Sequence, residues 1–559
     1  MAGFVDVLLR GAILVLTSLV LGGVAWTRLV LRPVAGDAPS PAAALALGGV
    51  AVAAGLASLA QVATMLVALA EVGGAEGWPV VEFARTTFAL TALTRVALAV
   101  AVGAVALRLS RRPAGPGAWA VLTVGAVLLV AASAVLSHAV ARVHDRGLLL
   151  LLDAAHQVAA AIWIGGLAHL TLYAAFRARQ ARRPRSVGAR AAGPAEPEAE
   201  VLDVVAAGPG SATVRRLPAT DTTIVRRFSR LALVSVVTLV TAGVLLTVRY
   251  VGAWPALLGT AYGVMVLSKA ILLVVILALA ALNFRAVRRA SAGGELRLLR
   301  LVEVELGLGV TVLFAAASLT SLPPAVDVTT DRATVAEVMG RFVPAPPRLS
   351  SPPVGDLIAR AEPLLAPVTR REPIERAWSE YNHHWAGFFV LTMGLLAALD
   401  RLGVRVARHW PLVLLGLAGF LFVRNDPRAW PLGPAGFWES FALPDVLQHR
   451  AFVVLVIALA VFEWMVRTDR LPDRPWAYVF PLLCALGGGL LLTHSHAMFD
   501  LKDEFLAEVT HAPLGILGAL VGWGRWLELR LPGASRGPGW LWTLGLVAMG
   551  LLLLVYREA

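Results

Sequence analysis

The sequence predicts an all-α, polytopic membrane protein of about 14 transmembrane helices. Three observations carry that prediction. Of 559 residues, 58% are hydrophobic and only 15% charged, and the mean hydropathy is +0.75. A soluble chain carries roughly 25% charged residues, and one this apolar could not cover itself with polar groups in water. A soluble enzyme or a DNA-binding protein is thereby excluded. Second, apolar runs of about 20 residues, the length that crosses a bilayer core, recur along the whole chain. Third, these runs are rich in Ala, Val, Leu and Gly without strand-like alternation, which argues helices and not a barrel.

Taken in order, the runs fall near 6–30, 42–70, 83–107, 118–140, 148–176, 229–250, 261–284, 299–321, 384–400, 409–423, 447–466, 476–497, 511–530 and 538–556. The first has no small-residue cleavage site after a short apolar core and reads as a retained anchor. Two stretches interrupt the rhythm. Residues 177–228, rich in Arg, Pro, Ala and Gly, read as a cytoplasmic linker, and the Pro-rich 326–380 as an extracytoplasmic connector. The organisation is then an eight-helix unit at 1–325 and a six-helix unit at 381–559, with no internal repeat between them.

The net charge of +13 would raise the question of nucleic acid, but the basic residues, nearly all Arg, cluster in short loops between apolar runs. That is the pattern of cytoplasmic loop ends. With the N-terminus outside, inner ends collect 30 basic residues against 17 at outer ends. The sequence therefore predicts N-out and C-out, membrane lipid as the surrounding partner, and no nucleic acid.

On that map nine of the eleven histidines fall at or near the outer face. They include His138, His156, His383, His384, His449, His494, His496 and His511. Imidazole is amphipathic and favours interfaces, but that preference alone would populate both. An outer cluster of metal ligands is the sharper reading, since imidazole binds copper, zinc and haem iron. The single cysteine, Cys484, and eight methionines leave little soft sulfur to select Cu(I). His494 and His496, two apart, point about 200° from each other on a regular helix and chelate one ion only where the helix frays.

Charges inside spans are costly and suggest a partner or a pathway. Asp153 stands at i−3 from His156 and can orient its ring. Lys269 lies at a similar depth, and Asp153 with Lys269 is the pairing that depth favours. Glu305 sits too deep for Lys269, and Arg95 sits near the middle of the third span. Near the thirteenth span, Asp500, Glu504, Glu508 and His511 fall on one stripe if 500–511 is a single helix. It reads either as a solvated acidic face or as an entrance for a divalent cation.

Several segments resemble a known family. They are "SHAVARVHDRGLLLLLDAAHQVAAAIWIGGLAHL", "RRFSRLALVSVVTLVTAGV", "TAYGVMVLSKAILLVVILALAALNFRAV" and "ELRLLRLVEVELGLGVTVLFAAASLTSLPPA". Together they are similar to the CopD copper-resistance membrane domain, with His138, His156, Trp163, Gly165, Gly166, Lys269, Asn283 and Glu305 at the motif positions. The resemblance spans 1–325. It implies copper ion transport or handling at a bacterial inner membrane, and a periplasmic CopC-like copper-binding partner. Residues 381–559 look like an extension found on longer CopD-like proteins. Two alternatives stay open: a haem b-binding electron-transfer protein with paired axial histidines, and a non-conducting scaffold that presents copper to an extracytoplasmic partner. No nucleophile–base pair, phosphate loop or dinucleotide fingerprint is present, so no enzymatic activity is expected.

Overall fold

The computed structural model describes residues 2–35, 40–73, 77–112, 115–182, 219–289, 294–360, 373–424, 426–442, 444–471, 474–493, 502–531 and 536–558. Among these the secondary structure is helical, with no β-strand. The long helices are α1 (Ala2–Ala25), α2 (Pro41–Val72), α3 (Thr87–Arg111), α4 (Pro116–Ala131), α5 (Arg146–Arg182), α6 (Ala219–Val251) and α7 (Ala261–Arg289). They continue with α8 (Gly294–Leu319), α9 (Pro373–Arg401), α10 (Val413–Arg424), α11 (Pro444–Arg467), α12 (Val479–Thr493), α13 (His511–Arg530) and α14 (Arg536–Leu554). Local chemistry sets several starts. The Ser40 side chain accepts from the Ala43 amide with Pro41 in the first turn of α2, and Thr86 does the same for Ala89 of α3.

Among the described residues thirteen helices are long and apolar enough to cross a membrane. The exception among the expected spans is 384–400, the second part of α9. Glu375, Glu380, Asn382, His383 and His384 make the first half of that helix polar. It nonetheless packs along α14. Two other spans differ in detail. The fourth stops being α-helical at Ala131 and continues as 3-10 turns at Ala132–Leu136 and His138–Ala141. The tenth opens with a 3-10 turn, Arg405–Leu412, around Pro411. Proline has no amide hydrogen for an α-type bond.

Helix α8 lies at the centre and packs against α1, α5, α7, α12 and α13. It joins the two halves through one core, in which Leu492, Ile516 and Leu527 of the second half pack with Leu272, Leu301 and Leu308 of the first. Gly307 of α8 is pressed on the Trp523 indole, where a Cβ would overlap the ring. One turn away, Glu303 accepts from Trp526 Nε1 and Arg530 Nε, each at 2.9 Å, and from Arg300 at 2.5 Å.

The helix ends sort into two sets. At one end, Arg142 pairs with Asp327, His138 meets the Leu319 carbonyl, the Ala333 amide donates to Gly259, and His384 meets Tyr556. This is the His-rich end. At the Arg-rich end, Arg530 meets Glu303 and Arg467 meets Asp400. The connector runs over the His-rich end. Its short helix Val335–Arg341 starts with a capping box, Thr334 and Glu337, and Val338 packs on Phe505, Leu506 and Val509. Lys502 Nζ lies 2.6 Å from Glu337 Oε1.

Two outcomes follow from these contacts. Gly307→Ala should destabilise the chain by about 1–3 kcal/mol through overpacking. Thermal unfolding in detergent checks it, and Gly307→Ala combined with Trp523→Leu should regain most of the loss. The second concerns acid. The hydrogen bond from Lys502, with those from Thr334, holds the Glu337 carboxyl down at about 2 against an ordinary 4.5. A depressed carboxylate stabilises fully above its ordinary value, and that contribution fades as pH falls towards 2. Pepsin cleavage of the connector should therefore rise as pH drops from 4.5 towards 2 in the parent, and should be high across that range in Glu337→Gln.

Candidate functional site

The side chains of interest in the first half gather between α5, α6 and α7 near the His-rich end. Asp153 and His156 occupy one face of α5, three residues apart. The His156 ring lies against α6, where Gly243 leaves room for it: a Cβ there would stand 3.1 Å from His156 Cε1. His156 Nδ1 is 3.0 Å from the Leu239 carbonyl, so Nδ1 carries the hydrogen and donates it. Nε2 is left with its lone pair, which is the form of imidazole that binds a metal ion. Lys269 of α7 and Asp153 both act electrostatically on His156, and Asp153 on Lys269. Asp153 and Lys269 thus neighbour each other as their depth suggests, although no ion pair within 4.0 Å joins them among the described residues.

Above them three rings form a triangle. His138 lies 6.4 Å from Tyr250 and 6.3 Å from Tyr262, and the two tyrosines lie 6.3 Å apart, all edge to face. His138 Nε2 donates to the Leu319 carbonyl at 3.1 Å, which leaves Nδ1 as its acceptor nitrogen. Arg142 covers the Tyr250 ring at 5.6 Å and forks onto Asp327 at 2.8 and 2.7 Å. Asp153 acts electrostatically on both tyrosines as well as on His156 and Lys269. Asp153 Oδ2, Tyr250 Oη and Gln157 Oε1 are buried without a hydrogen-bond partner among the described residues. Buried polar atoms are rarely left so.

The motif residues around this column have packing roles. Gly165 lets the α1 backbone at Ser18 approach, Gly166 meets Phe228, and Trp163 is buried in the core. His169 is also buried, and its Nδ1 donates to the Gly165 carbonyl at 2.8 Å. Glu305 bonds with Asn283 and not with Lys269. Arg95 is buried in α3 with no ion pair among the described residues.

In the second half the structure separates the histidines. His384 is fully buried, accepts from the Arg348 amide at Nδ1 (2.6 Å) and donates from Nε2 to the Tyr556 carbonyl (2.8 Å). Both ring nitrogens are spent on backbone, so the expectation that it ligates a metal gives way to a structural role. His383 and His511 do come together, with ring centroids 6.2 Å apart, and Tyr556 stacks on His383 at 4.1 Å. His449 is exposed at the start of α11. His494, His496 and Asp500 lie outside the described residues. The acidic stripe is not one helix. The short helix Lys502–Glu508 carries Glu504 and Glu508, a turn follows at Val509–Thr510, and His511 begins α13. Burial of Phe505, Leu506 and Val509 against the connector directs that break. Among the described residues no three of His, Cys, Asp and Glu lie together as a metal-holding group.

Sequence reasoning missed Tyr250, Tyr262 and Gly243. It also missed a neutral network at the Arg-rich end. Arg467 bonds Asp400 at 2.6 Å and Glu463 at 2.7 Å; Arg525 bonds Glu463 at 3.3 Å and Glu528 at 2.8 Å; Arg401 bonds Glu528. Trp542 donates to Glu528 at 2.6 Å, and Arg467 lies over Trp410 at 4.8 Å. Three guanidiniums and three carboxylates alternate, so the formal charges of this cluster cancel. Its signal in the sequence is the spacing of Glu463 to Arg467 and of Arg525 to Glu528.

Residues 222–319 are similar to the CopD family model, copper resistance protein D. The match covers α6, α7 and α8, and so includes Tyr250, Tyr262, Lys269, Asn283 and Glu305, while His138, Asp153 and His156 come from the helices before it. No curated protein and no solved structure matches the chain. With 13 candidate spans among the described residues it is a multi-pass membrane protein.

The His384 geometry gives a direct test. His384→Ala should lower the unfolding temperature, because it strands a buried amide and a buried carbonyl at about 1–3 kcal/mol each. It should leave the amount of copper bound unchanged, as measured by metal analysis of the purified chain.

Proposed function

We propose that this protein takes up copper at the His-rich end and handles it across the bacterial inner membrane through the column between α5, α6 and α7. The observation that carries this is the combination at Asp153 and His156. A buried carboxylate oxygen has no hydrogen-bond partner among the described residues, and three residues away an imidazole is held by the Leu239 carbonyl in the tautomer that offers Nε2. Carboxylate and imidazole suit Cu(II) well, and a site with few protein ligands releases its ion readily. Lys269 beside them weakens the hold on a cation by repulsion, as a transport site needs and a storage site does not.

In this account His138 and the two tyrosines form the mouth, Asp153 draws the cation in, and His156 binds it. His383 and His511, at the same end of the second half, serve as an accessory capture pair beneath the connector. The partner that the CopD resemblance implies is a soluble periplasmic copper-binding protein of the CopC type. It would deliver to or receive from this end.

Copper bound per purified chain and copper taken up by proteoliposomes should both fall in His156→Ala, and further in the Asp153→Asn, His156→Ala double variant. Lys269→Met should raise copper affinity, by up to about tenfold for each 1.4 kcal/mol of repulsion removed, and should slow uptake. Unchanged stoichiometry and uptake in the double variant would refute the site.

A further inference from the structure

Deeper in the first half, Glu305 of α8 is 3% exposed, and one of its oxygens accepts from Nδ2 of Asn283 on α7. No cation pairs with it among the described residues, and no charged group of α1, α5, α7, α12 or α13 acts on it electrostatically. Its neighbour Glu303 faces α13 and is held by Arg530 and Arg300. The other carboxylate buried as deeply in a spanning helix, Glu463, has two guanidiniums, Arg467 and Arg525. Among the described residues Glu463 is thus supplied with cations and Glu305 is not. A second observation points the same way. Asn283 Oδ1 is buried and lacks any donor among the described residues. A carboxylate has no hydrogen to give it, whereas a neutral carboxyl accepts from the amide NH and can donate its own O–H to the amide oxygen. Turning the amide over does not remove the need, since its oxygen would then face the carboxylate directly.

We propose that Glu305 is a proton-carrying group of the first half. It rests as the neutral acid paired with Asn283, and it gives up its proton when a cation moves along α7 and α8. The O–H bond breaks, the proton leaves to water, and the carboxylate left behind offsets the charge of the passing ion; the proton returns when the ion has gone. No oxidation or reduction is involved. The proton site stands on the geometry alone, and only its coupling to ion movement rests on the copper reading above.

Infrared spectroscopy of the full chain in detergent at neutral pH, without metal, tests the site. The parent should show the carbonyl stretch of a protonated carboxylic acid, shifted in heavy water and lost in Glu305→Gln. Glutamine keeps the size and the partner for Asn283, and an unaltered unfolding temperature shows that the fold is retained. Asn283→Leu, which removes the amide, should shift the same band. Identical carbonyl regions in the parent and Glu305→Gln would overturn the site. In proteoliposomes given copper, an imposed proton gradient should change uptake by the parent, and Glu305→Gln should lose that dependence. A variant that kept it would overturn the coupling. Absence of uptake by the parent would overturn the copper reading and the coupling with it, while the infrared result would still decide whether the acid carries a proton.

Discussion

The packing of α8 is the constraint on which the remaining structure depends. This helix ends the segment that is similar to the CopD model, yet it is also the rib on which the second half is mounted. Glycine at 307 allows Trp523 to lie directly on the helix, and Glu303 ties Arg530 and Trp526 to the same face. Apolar packing alone discriminates poorly between helix registers in a membrane, because lipid competes for the same surfaces. A close-approach glycine beside a charge-assisted hydrogen bond discriminates well. Once the second half is seated on one side of α8, the opposite sides of the helix are left to Asn283 of α7 and Ile164 of α5, which places Glu305 inward.

The two ends of the bundle then follow different electrostatic rules. At the Arg-rich end, charges of the second half pair in the alternating chain from Asp400 through Arg467, Glu463, Arg525 and Glu528 to Arg401. At the other end of the first half, Asp153 Oδ2, Tyr250 Oη and Gln157 Oε1 are left without partners, and Lys269 lacks an ion pair, among the described residues. A membrane interior makes unpartnered polar groups expensive. The connector belongs to this picture. Its contacts with Gly259, with Lys502 and with the segment around Phe505 bring the mouths of both halves under one roof.

Much of this is legible in the amino-acid sequence, for reasons that differ by residue. Hydropathy is enough to predict the spans because each must satisfy its backbone internally and present apolar side chains to lipid. It separates α9 poorly, because the polar first half of that helix is satisfied by contacts from distant segments, such as the Arg348 amide and the Tyr556 carbonyl on His384. Helical spacing predicts that Asp153 and His156 share a face, since both lie on one helix. It cannot tell His383 from His384, adjacent residues of which one meets His511 and the other is consumed by backbone. Tyr250 and Tyr262 look like interface anchors at helix ends; only the folding of α6 and α7 beside the turn at His138 makes them a ring triangle. Nothing in the spacing of Asn283 and Glu305 announces a buried pair, because it forms between two helices.

Copper X-ray absorption on the copper-loaded full chain tests the central claim most directly. The account predicts a first shell of nitrogen and oxygen with the outer-shell scattering of imidazole, as an ion held by His156 and Asp153 would give. A shell dominated by sulfur, from Cys484 or the methionines, would contradict it and place the metal elsewhere in the molecule.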